Sequence, residues 1–202
     1  MKTISDNVIM IEMGEQLPPD CNDAIKILLV GTESIDNPAG TDPNGNPIPS
    51  TFDWQGKFSQ GVASVANPND GLIMFKNAKY VIINAKYIPQ MTPDVTIPGN
   101  VELQNKYNWI LDMANAADII FCNILKKTTN PIPLMEFGLF TTSQKLVARC
   151  PESYPYFQIV KLICERSNIP LLQAKSTVKD VLFSAYSFCK RFQDLQKYQL
   201  PE

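Results

Sequence analysis

One carboxylate stands alone in an apolar part of the sequence. Glu136 is the only ionisable side chain in the 17 residues from Thr128 to Gln144, and it follows a strand-like stretch. A charge in apolar surroundings is costly to bury, so such a residue is exposed, neutralised by a raised pKa, or kept for a reaction that needs a desolvated acid or nucleophile. Pro133 is typical of a first helical turn, so we expect Glu136 near a helix N-terminus, where backbone N–H groups favour the anion. Two interpretations are open: a catalytic nucleophile, or a solvent-facing residue matched to the helix dipole.

The chain contains no histidine. This removes the usual general base near neutral pH and the commonest transition-metal ligand. Serine and cysteine nucleophiles that histidine activates are excluded as well, which leaves Asp, Glu, Tyr, Lys and backbone groups as catalysts. We therefore expect carboxylate chemistry with no metal and no other cofactor.

Composition and charge indicate a small-molecule ligand. The 202 residues are 45% hydrophobic and 19% charged, which suits a single globular domain. With 18 basic and 20 acidic side chains, a formal charge of −2 and no basic stripe, no nucleic-acid polymer is expected as a partner. The five cysteines are scattered without a CxxC pair, which suits reduced thiols, and neither a signal peptide nor a membrane-spanning run is visible. We expect a cytoplasmic protein with no membrane partner.

The elements that must position Glu136 alternate between strands and helices. Short apolar runs predict parallel strands at 25–30, 80–84, 118–125, 145–150 and, more weakly, 169–172. Helical periodicity predicts helices at 101–117, 133–143, 156–166 and 178–197. The last of these belongs to the segment 173–202, which is assigned as a C-terminal helix after the core. This pattern predicts an α/β fold, a Rossmann-like parallel sheet of about five strands with helices on both faces. The segment 34–51 is rich in Pro, Gly, Asn and Asp and is predicted as a long loop.

Ligands bind beyond the carboxyl ends of the strands in such sheets. The residues expected near this crevice are Gly31, Thr32, Glu33, Asn84, Lys86, Asn123 and the Glu136 segment. Trp54 either stacks on a base or packs in the core. Lys86 either contacts a phosphate or is solvated, and Asn84 is expected to hydrogen-bond sugar or base. Gly138, inside a predicted helix, indicates close approach to a ligand or strand, or tight packing alone.

Several short motifs occur in a recognisable order. They are Ile-Leu-Leu-Val-Gly at 27–31, a loop with Trp54, Asn-Ala-Lys at 84–86, Trp109 before Ala-Asp-Ile-Ile at 117–120, and Pro-Ile-Pro-Leu-Met-Glu-Phe-Gly at 131–138. Over about residues 25–172 the chain resembles the nucleoside 2-deoxyribosyltransferase-like family. The resemblance implies a flavodoxin-like sheet, a single domain over 1–202, and oligomers of at least two copies.

The resemblance also implies a reaction. Glu136 takes the position of a glutamate nucleophile that attacks the anomeric carbon of a 2-deoxyribonucleoside or deoxynucleotide, and a free nucleobase or water then resolves the sugar ester. The family's acidic residue six positions earlier is Asn130 here, which can bind a base edge but cannot carry a proton. Glu33 and Asp53 are the candidate substitutes for that acid, or else solvated loop charges.

The leading prediction is thus an enzyme of N-glycosidic bonds, acting by transfer or hydrolysis. One alternative is a nucleotide N-glycosidase with a ribosylated or NAD-like substrate. A different class is a non-catalytic module that binds a nucleotide, which the amide at Asn130 would favour.

Overall fold

The computed structural model describes residues 1–32, 40–41, 47–48, 53–69, 71–72, 74–76, 78–86 and 99–188. The strands are β1 Lys2–Ser5, β2 Val8–Glu12, β3 Ile25–Gly31, β4 Gly40–Thr41, β5 Pro47–Ile48, β6 Tyr80–Asn84, β7 Ile119–Asn123, β8 Leu146–Arg149 and β9 Leu171–Leu172. The helices are α1 Trp54–Ala66, α2 Val101–Ala116, α3 Ile132–Phe140, α4 Phe157–Ser167 and α5 Val178–Phe188.

Seven strands form one mostly parallel sheet. Their order is β1-β2-β6-β3-β7-β8-β9, and only β1 runs antiparallel to its neighbour. The short strands β4 and β5 pair with each other within the predicted long loop. The α/β class and the Rossmann-like arrangement are confirmed, while the predicted number of about five strands is wrong.

The two extra strands lie at the N-terminus, before the segment that carries the motif resemblance. β2 contains the apolar run Val-Ile-Met-Ile and pairs in parallel with β6, with Ile11 opposite Ile83. An apolar run this short cannot be told from a buried helical segment by periodicity alone. Its place in the sheet comes from a partner strand about 70 residues away in sequence.

Helices cover both faces of the sheet because the central strands are buried on both sides. On β3, Ile27 and Leu29 pack in one core cluster with α1 and α5, whereas Leu28 and Val30 pack in the other with α2, α3 and α4. The predicted helices α2 to α5 are present with shifted ends. The part of the predicted last helix beyond residue 188 lies outside the described residues.

The helix α1 was not among the helices predicted from the sequence. Its sequence contains two glycines, which lower helix propensity, although Trp54, Phe58 and Val62 recur at a helical spacing and are buried. Gly61 has a packing reason, because an added Cβ would lie 2.6 Å from Val178 Cγ2 of α5. The glycine therefore lets the two helices of this face approach closely.

The chain leaves β3 and β7 toward opposite faces. β3 continues to α1 on one face, and β7 continues to α3 on the other, although the two strands are neighbours in the sheet. Such a switch point opens a crevice beyond the carboxyl ends of the two strands, which is where open α/β sheets bind ligands. No helix among the described residues is long and apolar enough to cross a membrane.

Candidate functional site

Glu136 lies on the buried face of α3, at the crevice between β3 and β7. Its residue surface is 4% exposed, and Oε2 accepts a 2.9 Å hydrogen bond from the backbone N–H of Gly31. Of the two interpretations, the solvent-facing one is therefore wrong. Since α3 begins at Ile132, Glu136 sits in the second turn, beyond the first turn where the helix dipole acts most strongly. The Gly31 donor belongs to β3, a strand far from α3 in sequence.

Gly31 can make this bond because it is a glycine. Its φ of +109° lies in a region that side chains rarely adopt, and an added Cβ would lie 2.5 Å from the carbonyl oxygen of Asn123. Asn123 is the register partner of Gly31 on β7, so this contact is backbone against backbone. The last residue of β3 is thus turned so that its N–H faces Glu136.

The buried thiol of Cys122 lies near the Glu136 carboxylate. Burial raises the pKa of Cys122 well above its ordinary value, and the negative charge of Glu136 raises it further. Cys122 lies on β7 and its Sγ is 3.9 Å from the carbonyl oxygen of Pro133 on α3. The burial of Glu136 itself keeps its surroundings poor in water. The neighbouring thiol stays protonated at neutral pH.

Two threonines connect the crevice to the loop after β7. Thr32 Oγ1 accepts from the N–H of Leu125 (2.9 Å) and lies 2.6 Å from Thr128 Oγ1. Both threonines are buried. Thr32 was expected at the crevice but without a role, and Thr128 was not identified as a site residue. The hydroxyl pair links the residue after β3 to the loop after β7.

Trp54 begins α1 and is 2% exposed. Its Nε1 donates a 2.6 Å hydrogen bond to the carbonyl oxygen of Thr32, and its ring meets Phe121 edge to face at 5.9 Å between centroids. The geometry favours core packing over base stacking, because the ring is covered by the protein. Trp54 contributes to the site by holding the end of β3.

Asn130 precedes α3 and helps to start it. Its Oδ1 accepts from the N–H of Ile132 at 2.8 Å, an Asx turn that satisfies one of the free N–H groups of the first helical turn. As an amide it carries no transferable proton. The predicted contact of Asn130 with a base edge stays a prediction.

Three predicted binding residues meet one strand away, at a separate polar cavity of about 350 Å³. Asn84 ends β6 and its Oδ1 accepts from the N–H of Lys86 at 3.0 Å. Lys86 Nζ lies 3.5 Å from Asp53 Oδ1, and the same Asp53 oxygen accepts from the N–H of Gly56 as the N-cap of α1. Three lysines and two carboxylates line this cavity, whereas Glu136 does not. The structure thus divides the predicted residues between two neighbouring places.

Gly138 joins neither group. Gly138 is exposed, on the opposite side of α3 from Glu136, and an added Cβ would meet nothing within 4 Å. Close approach or tight packing within this chain is therefore not the reason for this glycine. Glu33 lies outside the described residues.

Arg149, which was not predicted as a site residue, contacts Asn123 at the end of β7. Arg149 ends β8, and its Nε donates to Oδ1 of Asn123 at 2.8 Å. The available signal was a charged residue at the carboxyl end of a buried strand, next to the strand that carries Asn123. Among the described residues, no three His, Cys, Asp or Glu side chains come together as a metal-ion site.

No protein-family model matches this chain, and no curated protein matches it either.

Proposed function

We propose that this chain is an enzyme that cleaves the N-glycosidic bond of a 2-deoxyribonucleoside or deoxynucleotide, with transfer of the sugar to another nucleobase or to water. The observation that carries the proposal is the buried Glu136 carboxylate, held by the Gly31 N–H at the crevice between β3 and β7. The motif resemblance to the nucleoside 2-deoxyribosyltransferase-like family, with its flavodoxin-like fold, supports the same role for Glu136.

A desolvated, oriented carboxylate is suited to glycosyl chemistry. Opposite charges attract more strongly where water is excluded, so the carboxylate stabilises the positive charge that develops on the anomeric carbon. The Gly31 N–H fixes the orientation of the group through one oxygen. A carboxylate placed in this way serves as the nucleophile of a retaining mechanism.

The proposed reaction has two steps. A Glu136 oxygen forms a bond to C1′ of the sugar while the bond from C1′ to the base nitrogen breaks, and the bonding pair leaves with the base, which is then protonated. The product is a deoxyribosyl ester of Glu136 and a free nucleobase. In the second step a nucleobase nitrogen or a water oxygen attacks C1′ and loses its proton, and the carboxylate is released.

The leaving base needs a proton that Asn130 cannot supply. Asp53 is already engaged as the N-cap of α1 and beside Lys86. We therefore propose Glu33 or solvent as the proton source. Replacing Glu33 with Gln separates the two, because only a role as acid predicts a fall in cleavage that is largest for poor leaving bases.

Base release and base exchange test the proposal. The protein is incubated with each deoxynucleoside and each 5′-monophosphate, with and without a second free base, and the products are separated chromatographically. Exchange supports a transferase, and base release alone supports a hydrolase. We expect Glu136→Gln to lower turnover by at least about 10³-fold, because the amide keeps an acceptor for Gly31 but is not a nucleophile.

Glu152→Gln is the matched control, since it makes the same change on an exposed glutamate. It should leave turnover within about twofold of the wild type. Equal turnover in Glu136→Gln and the wild type would refute the assignment of the nucleophile.

A second candidate is a module that binds a nucleotide without turnover, and the use of Asn130 to start α3 favours it. A third is a glycosidase of an NAD-like substrate, favoured by the lysines around the cavity next to Asn84. Calorimetry distinguishes the module, which binds deoxynucleotides without releasing base. Release of nicotinamide from NAD, with no base released from deoxynucleosides, identifies the glycosidase.

The proposal includes a cytoplasmic location and an assembly of at least two copies. Light scattering that returns a mass near 22.6 kDa would contradict the assembly.

A further inference from the structure

A half-buried arginine, Arg149, lies at the end of β8. Arg149 donates from Nε to Asn123 and from Nη1 to the carbonyl oxygen of Ser176 (3.2 Å), and its Cζ lies 5.7 Å from the centroid of the Phe121 ring. Within the part of the chain that the structure describes, no carboxylate forms an ion pair with it. Both known partners are neutral oxygens, so part of the guanidinium fork remains available for an anion.

The electrostatic setting agrees with this geometry. Burial lowers the pKa of Arg149 below its ordinary value. The guanidinium nevertheless remains charged at neutral pH. A positive charge removed from water in this way is stabilised by a bound anion.

The side chain of Asn123 adds a second donor. Because Arg149 Nε is a donor, the amide of Asn123 must turn Oδ1 toward it, and this leaves Nδ2 on the other side. Asn123 is fully buried, and its Nδ2 has no hydrogen-bond partner in the described structure. A buried amino group without an acceptor is costly, so a ligand oxygen that satisfies it is bound favourably.

The backbone of Asn123 lies beside the strand end that holds the proposed nucleophile. Asn123 is the register partner of Gly31, and the Gly31 N–H holds Glu136. The N–H of Thr32 donates to the carbonyl oxygen of Asn123 at 2.8 Å, which fixes the two strand ends against each other. Phe121, two positions before Asn123, packs with α1 and α5 and contacts Arg149, so the side chains of Asn123 and Arg149 face that side of the sheet, whereas Glu136 comes from α3 on the other side. A ligand that spans the strand ends at the switch point can contact both.

We propose that Arg149 and Asn123 form an oxyanion subsite, which binds a phosphate or carboxylate of the molecule that reacts at Glu136. Guanidinium and amide N–H groups together match the oxygens of such an anion. The identity of the ligand rests on the proposed function, under which the subsite makes deoxynucleoside monophosphates better substrates than deoxynucleosides. The competing explanation is purely structural, with Arg149 only tying β7 and β8 to the loop at Ser176.

Calorimetric titration separates the two explanations. Inorganic phosphate, acetate, deoxyadenosine and deoxyadenosine 5′-monophosphate are titrated separately into the wild type and three variants. Arg149→Gln removes the charge, and Arg166→Gln makes the same change on an exposed arginine of α4 as the control. Asn123→Asp keeps the acceptor for Arg149 Nε but replaces the free donor with a carboxylate, so it keeps the structural tie and fills the subsite with a negative charge.

We expect the wild type to bind inorganic phosphate, and to bind the monophosphate at least about 10-fold more tightly than the nucleoside. Arg149→Gln and Asn123→Asp should both remove this advantage, whereas Arg166→Gln should retain it. The thermal midpoint of Asn123→Asp should not fall, because the tie to Arg149 is kept; loss of that tie would lower it. Saturable binding of acetate without phosphate would identify a carboxylate as the bound group.

Failure of the subsite and failure of the proposed function give different results. Absence of both phosphate and acetate binding to the wild type would overturn the subsite, as would an undiminished monophosphate advantage in Arg149→Gln and Asn123→Asp. Neither result depends on turnover. Glu136→Gln should bind phosphate as the wild type does, so phosphate binding without any base release would overturn the proposed function alone.

Discussion

The glycine at the end of β3 allows a sharp test of how the site is built. Replacing Gly31 with Ala puts a Cβ on a residue whose φ is +109°, at 2.5 Å from the carbonyl oxygen and 2.8 Å from the nitrogen of Asn123. Both contacts are with backbone atoms of a paired central strand, which cannot rotate away as a side chain can. Relief requires that β3 or β7 shift.

The expected cost follows from two contributions. A side chain held in this backbone region costs about 1–3 kcal/mol. Overpacking against atoms that cannot move aside adds about 1–3 kcal/mol. We therefore expect Gly31→Ala to lower the free energy of unfolding by about 2–6 kcal/mol. Turnover should fall as well, because any shift of β3 moves the N–H that holds Glu136.

Gly138 provides the matched control. It lies within α3, it is exposed, and an added Cβ would meet nothing within 4 Å. The same substitution there removes only the conformational freedom of glycine, so Gly138→Ala should raise the free energy of unfolding by about 0.5–1 kcal/mol. The same Gly-to-Ala substitution is thus expected to lower the free energy of unfolding at Gly31 and to raise it at Gly138.

Urea unfolding of the three proteins measures both effects. Circular dichroism and tryptophan fluorescence should give coincident transitions, and the slope with denaturant should be unchanged if only stability differs. A Gly31→Ala protein within about 0.5 kcal/mol of the wild type would refute the close contact with Asn123. A loss of similar size in both variants would refute the reasoning for the matched pair.

Three further predictions concern packing and protonation. Gly61→Ala should lower the free energy of unfolding in urea, despite a helix-propensity gain of about 0.5–1 kcal/mol, because its Cβ would lie 2.6 Å from Val178 Cγ2. In a Val178→Ala background the same substitution should raise the free energy of unfolding. A loss of stability in that background as well would contradict the contact. Trp54→Phe removes a 2.6 Å bond to a backbone carbonyl and should cost about 1–3 kcal/mol in the same assay, whereas no measurable loss would show that the bond contributes nothing. Burial raises the pKa of Cys150 and of Cys164 from 9.0 to about 12, so the folded chain keeps both protons where the unfolded chain loses them. The stability that these two thiols contribute is complete below pH 9.0 and declines as the pH rises toward about 12, by about 2 kcal/mol for the pair between pH 9.0 and 10. Replacing both cysteines with Ala should therefore weaken the dependence of the urea midpoint on pH, measured under reducing conditions.

The predicted strands succeeded where sequence signals are local. β3, β6 and β7 are apolar runs buried on both faces, and such runs are typical of central parallel strands. β1 and β2 were missed because their assignment depends on a partner strand far away in sequence. α1 was missed because its two glycines obscured a helical spacing of large side chains.

The sequence by itself determined the α/β class, the isolation of Glu136 among apolar residues and, through the absence of histidine, the range of chemistry open to the chain. Only the tertiary structure decided that the carboxylate is buried and that its donor is a backbone N–H 105 positions away. It also brought Arg149 against Asn123 and buried Trp54. The physical reason is that local periodicity reports which face of an element is apolar, whereas contacts between distant residues depend on strand order and on the face that each helix covers.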